Sequence, residues 1–576
     1  MKNEDVAQLL FEIADLLEMQ DVEYKPRAYR RAARNVQSLS EDIEEIHDRG
    51  ELEEIDGVGE SIADKIAEYL ETGELGYLQD LRGDHELDVE ALTAVRGIGP
   101  KTARTLYREA GIADLEDLER AAREGEIADI EGFGERTEEN ILEHIERAKK
   151  GQERTLIGRA FSRAEELRDR LDGDEAFDRV RIVGSFRRRR PTVGDIDILA
   201  TASDPTAAMD TFCGFEDVSE VRSRGETKSS VTVPPDDLQV DLRVVEERSW
   251  GAALVYFTGS KDHNITLRDR AIDRDWKLNE YGLFDVSDVA EGEGGKRAGE
   301  VLASETEEAV YDRLDLAWIP PELREDTGEV AAAADDDLPD LIEYDDVCGD
   351  LQTHTEYSDG SNTVREMAVA ADERGLDYVA ITDHGPATNI AGGLDAADLA
   401  DQREDVTAVN DDDAVDVTVL HGVEANVTDD GLDVADDWLE RLDVVVAGMH
   451  TPPDDPTARL IDAMESAPVD VLAHPTNRLL LERGGIEYDL DAVVEAAADN
   501  DVALEINAQP ERLDLDWAAV KRHRDAVDFV VSTDAHDVEE LDFMHLGVAQ
   551  ARRGWCEPSD VLNTDPIGDT PIAPDR

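Results

Sequence analysis

The stretch "VGSFRRRRPTVGDIDILA", residues 183–200, combines a Gly-Ser pair, four consecutive arginines and two aspartates. Asp195 and Asp197 alternate with Ile196 and Ile198, which predicts a strand that carries both carboxylates on one face. The stretch "QVDLRVV", residues 239–245, places Asp241 in the same apolar alternation, on a strand that we expect to be a neighbour. Three converging carboxylates are suitable ligands for divalent metal ions. The alternative is a surface strand beside a solvated run of arginines.

Gly184 and Ser185 precede the arginines and can present a backbone amide and a hydroxyl to a triphosphate. Arginine side chains add charge-assisted hydrogen bonds to phosphate oxygens. The stretch therefore predicts a phosphoryl-transfer site, in which metal ions held by Asp195 and Asp197 bridge the triphosphate and the nucleophile.

The chain has 576 residues, more than one hydrophobic core can organise, so we expect three or more domains. Its net charge of −82 comes from 140 acidic and 58 basic residues, and this self-repulsion strains a compact fold in dilute buffer. Periodic apolar residues run along almost the whole chain, which excludes an acidic disordered protein. The acidity resembles that of proteins from extremely halophilic archaea, and it indicates a saline solvent rather than a basic ligand.

No apolar run reaches the ~20 residues that span a bilayer, and the first residues are acidic where a signal peptide is basic. We therefore expect a cytoplasmic protein with no membrane partner. The three cysteines, Cys213, Cys348 and Cys556, lack the spacing of a disulfide framework or a thiolate zinc site.

One pattern occurs three times in the helical region before residue 150. The stretches "IDGVGESIADKI" (55–66), "VRGIGPKTARTL" (95–106) and "IEGFGERTEENI" (130–141) each place Gly-x-Gly before an amphipathic helix. The glycine pairs permit a tight turn that aims free amides at an anion, although a single copy would be an ordinary turn between helices. The repeats resemble helix-hairpin-helix motifs, which hold the DNA backbone. The DNA-contacting glycines predicted in this way are Gly57, Gly59, Gly97, Gly99, Gly132 and Gly134.

The stretch from Val183 to Ala200, together with "VDLRVV", resembles the palm of the nucleotidyltransferases. The later stretches "YFTGSKDHNITLRDRA" (256–271) and "LNEYGL" narrow the resemblance to family X DNA polymerases such as DNA polymerase beta, over about residues 5–320. The resemblance implies that Asp195, Asp197 and Asp241 are the catalytic ligands of Mg²⁺ or Mn²⁺, and that Asp241 activates the primer 3′ hydroxyl. It also implies that nucleotide is bound by Gly184, Ser185, Arg188, Gly194, Tyr256, Phe257, Gly259, Asn264 and Arg268.

Lys65 occupies the position at which certain family members form a Schiff base with an abasic sugar. That lyase chemistry requires a deprotonated amine, whereas Glu60 and Asp64 hold the lysine charged, and Ser61 stands where the related enzyme has a basic residue. A helix lysine that pairs with acids or with DNA phosphate is the alternative.

After residue 346, apolar runs that end in polar residues alternate with helical segments. This alternation predicts a parallel, closed sheet with its functional groups at the carboxyl ends of the strands. A mixture of imidazoles and carboxylates suits Mn²⁺, Zn²⁺ or Fe²⁺. The predicted ligands are His354, Asp359, His384, Glu424, His450, His474, Asp534 and His536.

Residues 347 to about 556 resemble the PHP (polymerase and histidinol phosphatase) domain, a trinuclear-metal phosphoesterase. Attached to a family X polymerase, this domain implies 3′–5′ exonuclease activity, with 3′-phosphatase or abasic-endonuclease action as further options. The family commonly has His-x-His where this chain has Gln352-Thr353-His354, so an amide replaces one expected ligand. We expect this change to weaken one metal and to leave the domain active.

The predicted fold class is multidomain, with an α-helical helix-hairpin-helix region, an α+β nucleotidyltransferase palm with a thumb, and a C-terminal α/β barrel of distorted TIM-like PHP type. The predicted parts are a gap- and 5′-phosphate-binding domain (1–85), a fingers-type DNA-binding subdomain (86–150), the palm (151–247), the thumb (248–322), an acidic linker (323–345) and the PHP domain (346–576).

These patterns predict a DNA polymerase that fills short gaps in DNA repair and a second site that trims 3′ ends. The expected partners are gapped or primer–template DNA and deoxynucleoside triphosphates, and we expect a monomer. Two alternatives remain: a DNA-binding scaffold with an inert catalytic site, and a PHP domain that acts as a small-molecule phosphatase.

Overall fold

The structure is a computed structural model. It describes residues 154–572 except 235–237, 290–294, 389–391, 430, 452, 569 and 571, and, before residue 154, the ranges 25–37, 43–50, 57–72 and 112–124 with isolated positions. The chain divides into two compact units, residues 1–155 with 326–328, and residues 156–325 with 329–576.

The first unit is helical in its described parts. Its helices are α1 (Lys25–Gln37), α2 (Ile43–Asp48), α3 (Glu60–Thr72) and α4 (Leu115–Glu124). Gly57 lies in the turn before α3 with φ +78°, and a β-carbon there would lie 2.9 Å from Arg31 Cγ, so the turn requires glycine. The first predicted Gly-x-Gly pair therefore does precede a helix. The other two pairs, Gly97 with Gly99 and Gly132 with Gly134, lie outside the described residues.

The palm begins the second unit. Its strands are β1 (Thr155–Leu156), β2 (Arg179–Ile182), β3 (Thr192–Val193), β4 (Ile196–Thr201), β5 (Glu220–Arg224), β6 (Lys228–Val233) and β7 (Leu238–Val245). Five of them form one sheet of order β2-β4-β7-β6-β5. Helices α5 (Ile157–Asp172), α6 (Gly184–Arg187) and α7 (Pro205–Cys213) pack their apolar residues with those of the strands in one core. Strands β4 and β7 are parallel and place Asp197 opposite Asp241, which confirms the predicted neighbouring strand.

The thumb follows as three helices and a small antiparallel sheet. Its elements are α8 (Trp250–Thr258), α9 (Lys261–Ile272), β8 (Trp276–Asn279), β9 (Gly282–Asp285), β10 (Glu300–Ala303), α10 (Glu307–Arg313) and a 3₁₀ turn (Pro321–Leu323). Residues 323–345, predicted as an acidic linker, are packed instead. The alanine-rich run forms helix α11 (Glu329–Ala334), Leu341 joins the thumb core, and Ile342 joins the barrel core, because apolar side chains interrupt the acidic run.

The C-terminal part is a nearly closed barrel of parallel strands. Its strands are β11 (Gly349–Thr353), β12 (Tyr378–Ile381), β13 (Thr418–Thr428), β14 (Gly431–Leu432), β15 (Val444–Gly448), β16 (Val471–Leu472), β17 (Ala503–Asn507) and β18 (Phe529–Ser532). Apart from β14, which pairs antiparallel with β13, they follow one another around the sheet, and a parallel bridge between Thr353 and Ala535 returns the last strand to the first. Its helices are α12 (Val364–Glu373), α13 (Ala396–Asn410), α14 (Asp436–Leu439), α15 (Pro456–Ser466), α16 (Leu490–Asp499), α17 (Trp517–His523) and α18 (Met544–Arg553).

The palm and the barrel share a packed junction. Leu513 and Leu546 of the barrel are buried in the palm core. Gly158 of α5 lies so close to Pro510 that a β-carbon would come within 2.4 Å of its ring, so the contact requires glycine here. Among the described residues, no helix combines the length and the apolarity needed to cross a bilayer.

Candidate functional sites

Three aspartates converge on two neighbouring strands of the palm sheet, β4 and β7. Asp195 lies directly before β4, Asp197 lies within it, and Asp241 comes from β7, with one carboxylate oxygen of each within 4.8 Å of the others. Burial, followed by the charges of Asp195 and Asp241, raises the pKa of Asp197 to about 7. Carboxylates that repel one another in this way form a favourable site for divalent cations, because a cation relieves the repulsion.

Asp241 is held in place by three neighbours that the sequence patterns did not single out. Lys228 Nζ lies 2.7 Å from Oδ2, while Ser230 Oγ and Gln239 Nε2 donate to Oδ1 at 2.6 and 3.0 Å. Burial acts to raise the pKa of Asp241, but the hydrogen bonds from Lys228 and Ser230 outweigh it and lower the pKa. Lys228 and Ser230 lie on β6, opposite β7, so only the strand pairing brings them to the site.

The Gly-Ser turn packs against the aspartates. Gly184 has φ +67°, and a β-carbon there would lie 2.4 Å from Asp197 Oδ2, so glycine lets the turn approach the carboxylates. Ser185 follows within α6. Gly194 is different, since the space beside it is open and nothing in the structure explains the glycine.

The four arginines of the turn make internal contacts. Arg187 donates to both oxygens of Glu307 at 2.7 and 3.0 Å, and Arg188 Nε donates to Glu325 at 2.9 Å. Arg189 lies over the ring of Phe161, and Arg190 lies 3.4 Å from Glu325. The run is therefore not a solvated surface feature, because it ties the Gly-Ser turn to the end of the thumb.

The remaining predicted nucleotide-binding residues lie at the junction of α8 and α9. Tyr256 and Phe257 form an edge-to-face pair with centroids 5.0 Å apart at the end of α8. Asn264 Nδ2 donates to the carbonyls of Tyr256 and Gly259 at 2.8 and 3.1 Å, and Arg268 Nε donates to the Asn264 carbonyl at 3.0 Å. These bonds brace the turn between the two helices.

The eight predicted barrel ligands meet in one cluster. Glu424 is its centre, because Oε1 lies 3.2 Å from His450 Nε2 and 3.0 Å from His474 Nε2, while Oε2 lies 3.0 Å from His384 Nδ1 and 3.6 Å from His354 Nε2. Glu424 lies inside β13 rather than at its carboxyl end, where we had expected it, because this strand runs on to Thr428.

The other ligands surround the same space. Asp359 lies 3.5 Å from His384 Nε2 and 3.4 Å from His536 Nε2, and Asp534 lies 3.0 Å from His354 Nε2. Burial acts to lower the pKa of His384, but the charges of Glu424 and Asp359 outweigh it and raise the pKa to about 11. A metal ion must displace that proton, so metal affinity falls as pH falls.

The donor atoms fit metal ions better than they fit one another. His354 is fully buried, yet neither of its ring nitrogens has a partner in hydrogen-bonding geometry among the described residues. The same holds for His474 Nδ1 and Glu424 Oε2. Buried polar atoms are costly without partners, so their convergence on a shared space is the arrangement expected of metal ligands.

Gln352 lies in this cluster at the position where the family has histidine. Its side chain is fully buried, Nε2 donates to Asp534 Oδ1 at 3.4 Å, and Oε1 has no hydrogen-bond partner among the described residues. The amide oxygen is therefore available to a cation, but it is a poorer ligand than imidazole for late transition metals.

Changing Gln352 to histidine is expected to raise the rate of 3′-end hydrolysis at limiting Zn²⁺ about fivefold, because imidazole binds Zn²⁺ more tightly than an amide oxygen does. The rate is measured against Zn²⁺ concentration on a labelled oligonucleotide. The matched control is Gln402→His. Gln402 is also buried, but its side chain forms hydrogen bonds with Asp383 and His421, outside the ligand cluster. An equal gain in both variants, or a gain in neither, contradicts the prediction.

Two further polar residues of the barrel were missed by the sequence patterns. Glu505 Oε2 accepts from the backbone amide of His474 at 2.6 Å, and Asn507 Nδ2 donates to Glu505 and to Asp534 at 3.1 and 3.0 Å. Burial, followed by the charge of Asp534, raises the pKa of Glu505 well above its ordinary value. Both residues lie on β17 in "VALEINA", and the two-residue alternation of the strand could have placed them inside the barrel.

A cavity of about 460 Å³ opens beside the cluster. His450, Asn477, Arg483 and Gly485 are among the residues that line it. Arg483 Nη2 donates to Asn477 Oδ1 at 3.0 Å, which places a cation at the cavity wall. Glu487 also lines the cavity, so its wall offers a local cation, Arg483, to which a phosphate ester can bind.

Lys65, in the first unit, lies on α3. Its ammonium donates to the Ser61 carbonyl at 2.8 Å and to Ser61 Oγ at 3.1 Å, and it lies 4.6 Å from the centroid of the Tyr77 ring. These contacts do not decide between lyase chemistry and phosphate binding, so the lyase assignment stays a prediction.

Four family models match the chain in the order in which the predicted parts occur. They are a helix-hairpin-helix domain (residues 1–75), a SAM-like helix-hairpin-helix tandem (89–147), the DNA polymerase beta thumb (253–325) and the PHP domain (350–526).

Curated relatives divide according to the part of the chain that they match. DNA polymerase/3′-5′ exonuclease PolX of Bacillus subtilis (strain 168) is 35% identical over 99% of this chain and 98% of its own length. DNA polymerase lambda of Arabidopsis thaliana is 26% identical over 56% of this chain and 62% of its own. A probable phosphatase of Shewanella sediminis is 38% identical over 27% of this chain and 63% of its own. Because the first of these matches extends over both catalytic clusters, the chain belongs to the family X DNA polymerases that carry a C-terminal PHP domain.

Proposed function

We propose that this enzyme fills short gaps during DNA repair with its palm and trims 3′ ends by 3′–5′ exonuclease action with its barrel. The observation that carries the proposal is the presence, in one chain, of two ligand clusters of different chemistry. The all-carboxylate cluster suits Mg²⁺ or Mn²⁺, and the cluster of imidazoles and carboxylates suits Mn²⁺, Zn²⁺ or Fe²⁺.

In the palm, Asp195, Asp197 and Asp241 would hold two metal ions, which when bound stabilise the charge of phosphoryl transfer. Asp241 would accept the proton of the primer 3′ hydroxyl, since Lys228 and Ser230 keep it ionised. Ser185 and Arg188 would bind the triphosphate, and Tyr256 and the neighbouring Phe257 would shape the pocket for the nascent base pair.

In the barrel, Glu424 and the seven ligands around it would hold the metal ions, which when bound supply an activated water for phosphodiester hydrolysis. The adjoining cavity would receive the 3′-terminal nucleotide, with Arg483 near its phosphate. The match to a probable phosphatase supports a second candidate, hydrolysis of small phosphomonoesters.

The test uses a 5′-labelled primer on a gapped duplex in molar KCl with Mn²⁺, with and without nucleotides. Lengthening with nucleotides and shortening without them support both activities. DNA binding without either reaction would instead favour a scaffold, and faster hydrolysis of a simple phosphomonoester than of a DNA 3′ end would favour the phosphatase.

We propose further that the enzyme works in high salt, as the net charge of −82 suggests. The Debye length is ~10 Å at 0.1 M salt and ~3 Å at 1 M, so concentrated KCl screens repulsion between surface acids. The midpoint of thermal unfolding, measured by circular dichroism, is expected to rise by about 10 °C or more between these concentrations. A midpoint that stays constant or falls would contradict the proposal.

A further inference from the structure

A single carboxylate lies between the palm and the barrel. Glu325 follows the 3₁₀ turn at the end of the thumb, and its side chain is only 11% exposed. It accepts a hydrogen bond from Arg188 Nε at 2.9 Å, and Arg190 Nη1 lies 3.4 Å away. Arg553 Nη2, from the barrel, lies 3.9 Å from the same carboxylate. Three cations from two catalytic modules therefore share one anion.

Arg553 is the last residue of α18, the helix that ends at the junction between barrel and palm. Its side chain is 1% exposed, and its Nε and Nη1 have no hydrogen-bond partner among the described residues. Burial lowers its pKa to about 9, so it still carries its charge at neutral pH. The guanidinium also lies over the Trp517 ring of the barrel, 5.5 Å from its centroid. A buried charge is unfavourable unless it is compensated, and Glu325 is the carboxylate nearest to it.

Arg188 is oriented from two sides. Its Nε donates to Glu325, and its Nη1 donates to the carbonyl of Thr258 at 2.7 Å, in the "YFTGS" turn. These contacts do not use Nη2. Any change in the charge balance at Glu325 therefore acts on the arginine that is assigned above to the triphosphate.

We propose that Arg553 of the barrel is a positioning residue for the nucleotide site of the palm, acting through Glu325 on Arg188. With three arginines around one carboxylate, the cluster keeps an excess positive charge that attracts a triphosphate. Without Arg553 that excess falls by one, and Glu325 attracts Arg188 more strongly. The inference rests on the proposed function in one respect, because it places the triphosphate at Arg188.

The test is Arg553→Met in the full-length chain, with single-nucleotide insertion measured on a gapped duplex. The KM for the deoxynucleoside triphosphate is expected to rise about fivefold while kcat stays within about twofold, because binding charge is lost and the metal cluster is intact. An unchanged KM overturns the inference.

The matched control is Arg552→Met. Arg552 is also buried at the junction, but it donates to Glu322 at 2.9 Å and to the Ile342 carbonyl at 2.6 Å rather than to Glu325. Its loss is expected to lower the midpoint of unfolding and to leave the KM unchanged. An equal rise in KM for both variants would mean that the junction acts only as a scaffold, and would overturn the inference.

Two further variants test whether the change in KM depends on Arg188 and passes through Glu325. Arg188→Met tests the nucleotide site itself. If this variant leaves the KM unchanged, the proposed triphosphate position is wrong. If the KM rises in Arg188→Met but not in Arg553→Met, only the role of Arg553 is refuted. Arg553→Met is expected to change the KM less than twofold in a Glu325→Gln background, because the effect passes through that carboxylate. A full fivefold effect in that background overturns the route.

The nuclease rate on single-stranded DNA reports whether the barrel of Arg553→Met is intact. If that rate falls, the KM is measured for Arg553→Lys instead, because lysine keeps the positive charge without the guanidinium shape. A KM within twofold of the parent supports the inference, and a fivefold rise with an unimpaired nuclease overturns it.

Discussion

Replacement of Asp197 by alanine is expected to lower the rate of primer extension on the order of 1,000-fold or more, and to leave 3′-end hydrolysis within twofold. Asp197 faces Asp241 in the parallel register of β4 and β7, and burial followed by the charges of Asp195 and Asp241 raises its pKa to about 7. Its loss removes one of the three proposed metal ligands of the palm, whereas the barrel cluster is formed by a separate set of residues.

Extension and hydrolysis are measured on the same preparation with the labelled gapped duplex, and DNA binding is measured in parallel. Asp169→Ala is the matched control, because Asp169 is an exposed carboxylate on α5 that pairs with Arg168. Extension that survives in Asp197→Ala, or a parallel loss of DNA binding, would mean that the aspartates do not form the catalytic site.

Both ligand clusters were predictable because their geometry follows from local patterns. The alternation around Asp195 and Asp197 placed both carboxylates on one face, and the register of the parallel sheet supplied Asp241. In the barrel, parallel strands all present their carboxyl ends at one rim, so histidines that follow apolar runs meet there. His354, His384 and His450 follow β11, β12 and β15 in this way.

The contacts between distant segments were not predictable. Lys228 reaches Asp241 only because β6 pairs with β7, and no motif marks it. Arg187 and Arg188 look like phosphate ligands in the sequence, but Glu307 and Glu325, more than a hundred residues away, accept hydrogen bonds from them. The sequence predicts a linker at residues 323–345 because the segment is rich in alanine and aspartate. Its few apolar residues are nevertheless enough to anchor it in the cores of the thumb and the barrel.

The second large effect on activity is expected from a substitution of Glu424, the residue at the centre of the barrel cluster. It is fully buried, and its two oxygens lie within 3.6 Å of nitrogens from four histidines on four different strands or strand ends. If metal ions bind here, Glu424 would be among the residues that hold them, and its charge would also orient the neighbouring histidines.

Glu424→Gln keeps the shape of the side chain and removes its charge, so it is expected to lower 3′-end hydrolysis on the order of 100- to 1,000-fold and to leave primer extension within twofold. Bound metal, measured by elemental analysis after gel filtration, should fall in the same variant, because a neutral amide binds metal ions more weakly than a carboxylate does. Glu495→Gln is the matched control, since Glu495 is exposed on α16 of the same barrel. Hydrolysis and metal content that both survive would show that Glu424 is a structural partner of the histidines, and a matching loss of extension would show that the two sites do not work separately.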